Sequence, residues 1–161
     1  MNENNFHKEG DEAMIDTPQV LIDATITRVE NFLKSHFPDY LNFENGTFTV
    51  NRGNSQVMIA IRPFTDTESC IEFASNVVYE SKLTSELMQF LLRKNAELHF
   101  GAFGLLFDDT IIFQYTIAGS NVDSNELLTS INAVAIISAH YADEIVAMGA
   151  GKLINEYQDH S

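Results

Sequence analysis

The side chains best suited to chemistry in this chain fall in a few places. His140, Asp143 and Glu144 lie within one stretch, AHYADEIV, and His140 and Glu144 stand four apart. That spacing puts two metal ligands on one helix face. A third ligand must come from another element, and His99 is the candidate. With it, the set describes a small metal-binding protein or metal-dependent enzyme; without it, a histidine and two acids near a helix end are a solvated face. The H-E-x-x-H pattern is absent. Asp108-Asp109 are chelating in type, yet they separate two apolar runs as a hairpin tip does. His99 has no nucleophile near it in sequence, which favours a structural hydrogen bond over general-base work. Gly149-Ala150-Gly151-Lys152 shares residues with a phosphate loop, but it follows a helix and lacks the first glycine and the Ser/Thr. It reads as a helix C-cap. Cys70, the single cysteine, leaves no partner for a disulfide within the chain, and its strand-like setting reads as a buried, inert thiol. The residues predict no catalytic site, no cofactor and no metal, with His140/Glu144 as the rival reading.

Charge narrows the partners. Nine Lys and Arg against 23 Asp and Glu give a net charge of −14, which repels phosphate backbones and anionic lipid surfaces. Nucleic acid and membrane are therefore not expected partners, whereas a basic or aggregation-prone protein is. No stretch reaches the length of about 18 apolar residues that spans a bilayer. The opening MNENNFHKEGDEAMID has neither the basic nor the apolar region of a signal peptide, so the expected location is cytoplasmic. Asn45-Gly46-Thr47 matches a glycosylation acceptor but reads better as an Asn-Gly turn.

The elements that must position these residues follow from periodicity. Residues 1–16 read as a disordered acidic tail, 17–154 as one domain, and 155–161 as a polar tail. Thr17-Pro18 predicts a helix start with Thr17 as N-cap. Ile22, Ile26, Val29, Leu33 and Phe37 form its apolar stripe, and Phe37-Pro38 ends it. Strands follow over 47–52, 56–64 and 70–80, with one apolar and one wetter face. A second helix starts from Thr84; Leu87, Phe90, Leu91 and Leu92 make it broadly apolar, and Asn95 reads as its left-handed cap. A hairpin over 95–116 comes next. A two-residue loop at Asp108-Asp109 sets Ala102 opposite Tyr115 and Gly104 opposite Phe113, and leaves Phe103, Leu105, Phe107 and Ile112 on the outer face. Asp123 and Glu126 then cap a long helix with the seam Leu127, Ile131, Val134, Ser138, Tyr141, Ile145 and Met148. The order is α-β-β-β-α-β-β-α, an α+β class.

That order, and the string LLRKNAELHFGAFGLLFDDTIIFQYT followed by a long helix ending HYADEIV, resemble the YbjN-like branch of the type III secretion chaperone-like superfamily. Leu91-Leu92, Asn95, Phe100, Gly101, Phe103 and Ile145-Val146 carry the resemblance, which is strongest from residue 91 to 148. It implies a two-layer sandwich with a five-stranded antiparallel sheet, often dimeric, that binds an extended segment of a client protein. No catalytic motif comes with it. The expectation is a non-enzymatic protein- or peptide-binding module, chaperone-like or regulatory and homodimeric. Its expected contact surface is Leu87, Phe90, Leu91, Phe103, Leu105, Phe107 and Ile112. The alternatives are the His140/Glu144 metal protein and a structural homodimer subunit without a client.

Overall fold

The computed structural model describes residues 17–149 and 151–153. The expected tails, 1–16 and 155–161, lie outside the described residues, as does Ala150. Helix α1 (Gln19–His36) forms where Ile22, Ile26, Val29 and Leu33 recur on one side, with Val29 and Leu33 fully buried. Its start differs from the expected cap. Pro18 is the N-cap residue and makes no side-chain capping bond. Thr17 spends its hydroxyl on a distant loop, donating to the Thr65 carbonyl (2.6 Å) and accepting from the Phe64 N–H (2.7 Å). Loop backbone groups need partners, and Thr17 supplies two of them.

Next come β1 (Leu41–Asn42), β2 (Thr47–Arg52), β3 (Ser55–Pro63), β4 (Ser69–Tyr79), α2 (Ser85–Glu97), β5 (Ala102–Leu105), β6 (Ile111–Ala118), α3 (Ser124–Gly149) and β7 (Lys152–Leu153). The sheet is antiparallel throughout its described pairings, in the order β1-β2-β3-β4-β6-β5, with β7 alongside β4. The expected five strands are all present. The sheet has seven, because β1 and β7 are two-residue strands too short to show a period-two pattern.

One face of this sheet is dry. Phe48, Ile59, Ile71, Phe73, Ile111 and Phe113 are fully buried there. The other face exposes Met58, Glu72, Asn76, Gln114 and Thr116. The helices cover the dry face, as an alternating antiparallel sheet requires. Helix α3 lies across β3, β4 and β6 and buries Leu127, Ile131, Val134, Ser138 and Ile145, the expected seam. Its capping box is formed: Asp123 Oδ1 accepts from the Glu126 N–H (2.7 Å), and Glu126 Oε1 accepts from the Asp123 N–H (3.4 Å). Thr84 caps α2 by accepting from the Leu87 N–H (3.1 Å).

The β5–β6 hairpin departs from its expected register by one residue. Ala102 faces Gln114, Phe103 faces Phe113, Gly104 faces Ile112 and Leu105 faces Ile111. The turn is the reason. Leu106 N–H donates to the Thr110 carbonyl (2.9 Å), Asp109 N–H donates to the Leu106 carbonyl (3.1 Å), and Asp109 has φ +62°. This is a type I turn followed by a left-handed residue, a three-residue loop rather than two. Asp108 Oδ1 accepts from the Thr110 N–H (3.0 Å), and the Ser81 hydroxyl donates to the Asp109 carbonyl (2.8 Å). A slip of one residue exchanges the faces. Phe103 therefore turns inward, with its ring edge-on to Phe113 (5.0 Å) and Tyr141 (5.9 Å).

Asn95 secures this register. It is not a left-handed cap, since α2 continues to Glu97. Its Oδ1 accepts from the Phe103 N–H (2.7 Å) and its Nδ2 donates to the Phe103 carbonyl (3.2 Å). The side chain thus stands in for a neighbouring strand on the outer edge of β5. Gly101 lets the chain entering β5 close on β6: its φ is +82°, and a Cβ there would fall 2.6 Å from the Gln114 carbonyl oxygen. Replacing Asn95 with Ala orphans both Phe103 groups, so the chain should lose about 1–3 kcal/mol of stability, read as a lower denaturant midpoint.

Glu68 ties the opposite end of the sheet. Its Oε1 accepts from the Ser120 N–H (2.7 Å) and the Gly119 N–H (3.0 Å), joining the β3–β4 loop to the β6–α3 loop. The Ser120 backbone bond is the main cause that holds this carboxyl below its ordinary range; burial opposes it. A lowered folded value means the unfolded chain binds the proton more tightly. The stabilisation is present above the ordinary carboxylate range and is lost as pH falls through the folded value. Thermal midpoints measured across pH should therefore decline below about pH 4 less steeply for Glu68→Gln than for the native chain.

Candidate protein-binding surfaces

The seven residues expected to form one contact surface separate into three groups. Leu87 is fully buried beneath α2, and Phe103 and Ile112 are 7% and 8% exposed. These three belong to the monomer's interior, a correction that follows from the hairpin register for Phe103 and from the inward side of α2 for Leu87. Phe90 and Leu91 are half-buried against the core. Leu105 is exposed, and Phe107 stands fully in solvent at the hairpin tip. Leu106 and Phe100 on the hairpin side and Met88 and Leu92 on α2 are also exposed. On α2 and the hairpin, the exposed large apolar side chains are thus Met88, Leu92, Phe100, Leu105, Leu106 and Phe107.

The candidate metal ligands do not converge. His99, His140 and Glu144 are all exposed, and among the described residues no three His, Cys, Asp or Glu side chains come together as an ion would need. Asp108 is occupied as a turn acceptor. Cys70 is half-buried rather than buried; burial, with Glu72 beside it, pushes its thiol up and makes it a poor nucleophile. Lys152 pairs with Glu80 (3.0 Å), which takes it away from any phosphate role.

A groove beside α1 was not foreseen. It encloses about 450 Å³ between α1 and the β1–β2 turn. Ile22, Ile26, Phe48 and Ile61 supply apolar lining, and Asp23, Glu44 and Arg62 give charge to it. Its wall is conformationally costly. Glu44, Asn45 and Gly46 are consecutive left-handed residues, at φ +64°, +53° and +74°. Non-glycine residues in that region cost on the order of 1–3 kcal/mol each and concentrate at ligand clamps. The expected Asn-Gly turn is present and carries more strain than its sequence showed. Asn42 Oδ1 accepts from the Glu44 N–H (2.8 Å), and the Gly46 carbonyl accepts from the Ile61 N–H (2.8 Å). A Cβ on Gly46 would press on Ile26 Cδ1 at 3.2 Å, so glycine lets the turn close against α1. Beside the groove, Leu41 on edge strand β1 and Phe43 after it are more than half exposed.

Paired substitutions separate interior from surface. Phe103→Ser should destabilise the monomer by about 3–5 kcal/mol, the range for deleting a core ring. Phe107→Ser should change stability by no more than about 0.5 kcal/mol. Equal losses in urea unfolding would place Phe107 inside the fold and refute the register.

Comparison with known proteins agrees with this architecture. No curated protein matches the chain by sequence. Among solved structures, the HopA1–SchA chaperone–effector complex contains a chain that superposes with a TM-score of 0.60 at 8% identity, covering 79% of this chain and 98% of that one. The ExsC–ExsE complex gives 0.56 at 12% identity, covering 75% and 92%. The Yersinia pestis type III secretion chaperone SycH, solved with a fragment of YscM2, gives 0.50 at 16% identity, covering 72% and 98%. At these identities the likeness is one of fold. Residues 22–151, from the stripe of α1 to the end of α3, also match the family model CesT_Tir_1. The chain belongs to the CesT_Tir_1 family.

Proposed function

We infer that this protein is a non-enzymatic, chaperone-like binding module that holds an extended segment of a client protein. The observation that carries the reading is the groove beside α1. It joins an apolar floor to a polar rim, as peptide sites do, and it adjoins an edge strand of only two residues. A client strand added to β1 would place alternate side chains against Leu41, Phe43 and the groove. The family assignment supports this, as does the description of one fold neighbour as a chaperone–effector complex. A charge of −14 favours a basic client. The second surface, Leu92 on α2 with Leu105 and Phe107 on the hairpin, is exposed and apolar and suits self-association into a homodimer. No helix among the described residues is long and apolar enough to cross a membrane. A cytoplasmic site of action belongs to the same reading.

Two sets of variants test it. Leu41→Asp with Phe43→Asp should abolish co-purification of a client from host extract while leaving the thermal midpoint within about 2 °C, because both side chains are exposed. Leu92→Ser with Phe107→Ser should reduce the mass seen by light scattering and leave client capture intact. Capture that survives the first pair refutes the groove, and the structural-dimer alternative gains if only the second pair has any effect.

A further inference from the structure

The groove beside α1 begins where the chain enters the fold. Thr17 is buried, and its hydroxyl donates to the Thr65 carbonyl (2.6 Å) and accepts from the Phe64 N–H (2.7 Å). Pro63, next to Phe64, lines the groove, and so does Gln19, two residues past Thr17. Residues 1–16, which lie outside the described residues, are therefore tethered at its mouth. The side chains nearest the tether are Met14, Ile15 and Asp16. An extended chain advances about 3.3–3.6 Å per residue, so Ile15 and Met14 reach about 7–10 Å from Thr17. The α1 wall from Gln19 to Ile26 is about 10 Å long, at about 1.5 Å per residue. The apolar pair thus comes within reach of the apolar floor, Ile22, Ile26, Phe48 and Ile61.

Charge sets how firmly such a segment is held. Arg62 lines the groove beside Pro63 and forms no ion pair among the described residues, so it is open to Asp16. Asp23 and Glu44 act the other way. Residues 1–16 carry five acidic side chains against Lys8, and these two carboxylates repel them. Tethering offsets a weak fit, because a short flexible link presents its end at millimolar effective concentration. A basic client gains from the same Asp23 and Glu44 that oppose the chain's own segment. We propose that Met14 and Ile15 occupy the groove when no client is bound, and that a basic client segment displaces them. This rests on the reading of the groove as the client's seat, and adds that the seat is filled from within the chain.

Amide spectra of the full chain test the assignment. Met14→Ser with Ile15→Ser should move the signals of Ile22, Ile26, Gly46 and Ile61 and leave that of Phe107, at the hairpin tip, in place. A nitroxide on Gly10→Cys, with Cys70→Ser removing the native thiol, should broaden the same groove signals. Adding the two serine substitutions should relieve that broadening. A lysine–isoleucine repeat peptide serves as the basic, extended probe. It should bind the doubly substituted chain at least about threefold more tightly than the native one, because apparent affinity scales with the fraction of molecules whose groove is open. Groove signals that move while neither chain binds the peptide would keep the segment in the groove and refute the groove as a client seat. Unmoved groove signals, broadening that survives the substitutions, or equal peptide binding by the two chains would each overturn the proposal, and in the last case the groove still takes a client.

Discussion

Two hydrogen bonds from one side chain set much of this structure. The Asn95 amide takes both the N–H and the carbonyl of Phe103, so the outer edge of β5 is satisfied by a helix instead of a strand. Backbone polar groups cannot be covered unpaired. Once they are paired, α2 can lie against the sheet margin and the Phe103 ring can enter the core beside Phe113 and Tyr141. Lys94, next to Asn95, then sits over the Phe90 and Tyr141 rings at 5.6 and 5.8 Å. Helix α2, the hairpin and α3 meet at this point. What α2 leaves exposed follows from how Asn95 fixes it.

The helices were legible because their signals are local and redundant. The spacing of Val29 and Leu33, the seam from Leu127 to Ile145, and the Asp123–Glu126 box each say the same thing twice. The hairpin was not, because Asp108-Asp109 admit either a two- or a three-residue loop, and the choice falls to Asp109 adopting φ +62° under the hold of Ser81, far away in sequence. A single residue of slip then decided whether Phe103 belonged to the surface or the core. Thr17 was misread for a similar reason: its composition fits a cap, but a loop nearly fifty residues away competes for the same hydroxyl.

The sites were less legible than the fold. The groove beside α1 draws on α1, the β1–β2 turn, β2 and β3, and no single window of sequence contains it. Its one local sign was the Asn45-Gly46 turn, whose left-handed run extends back to Glu44.

The guarded margin at β5 has a consequence for the sheet as a whole. A sheet with two bare edges can recruit strands from either side, and proteins suppress this because indiscriminate growth is aggregation. Here one margin is occupied by Asn95 from within the same chain, while the other ends in the two residues of β1 beside exposed Leu41 and Phe43. The two margins therefore differ: the Phe103 groups of β5 are already paired by Asn95, whereas β1 is a two-residue edge flanked by exposed apolar side chains. Pairing one margin from within the chain leaves fewer bare backbone groups through which copies could join edge to edge, the growth that ends in aggregation.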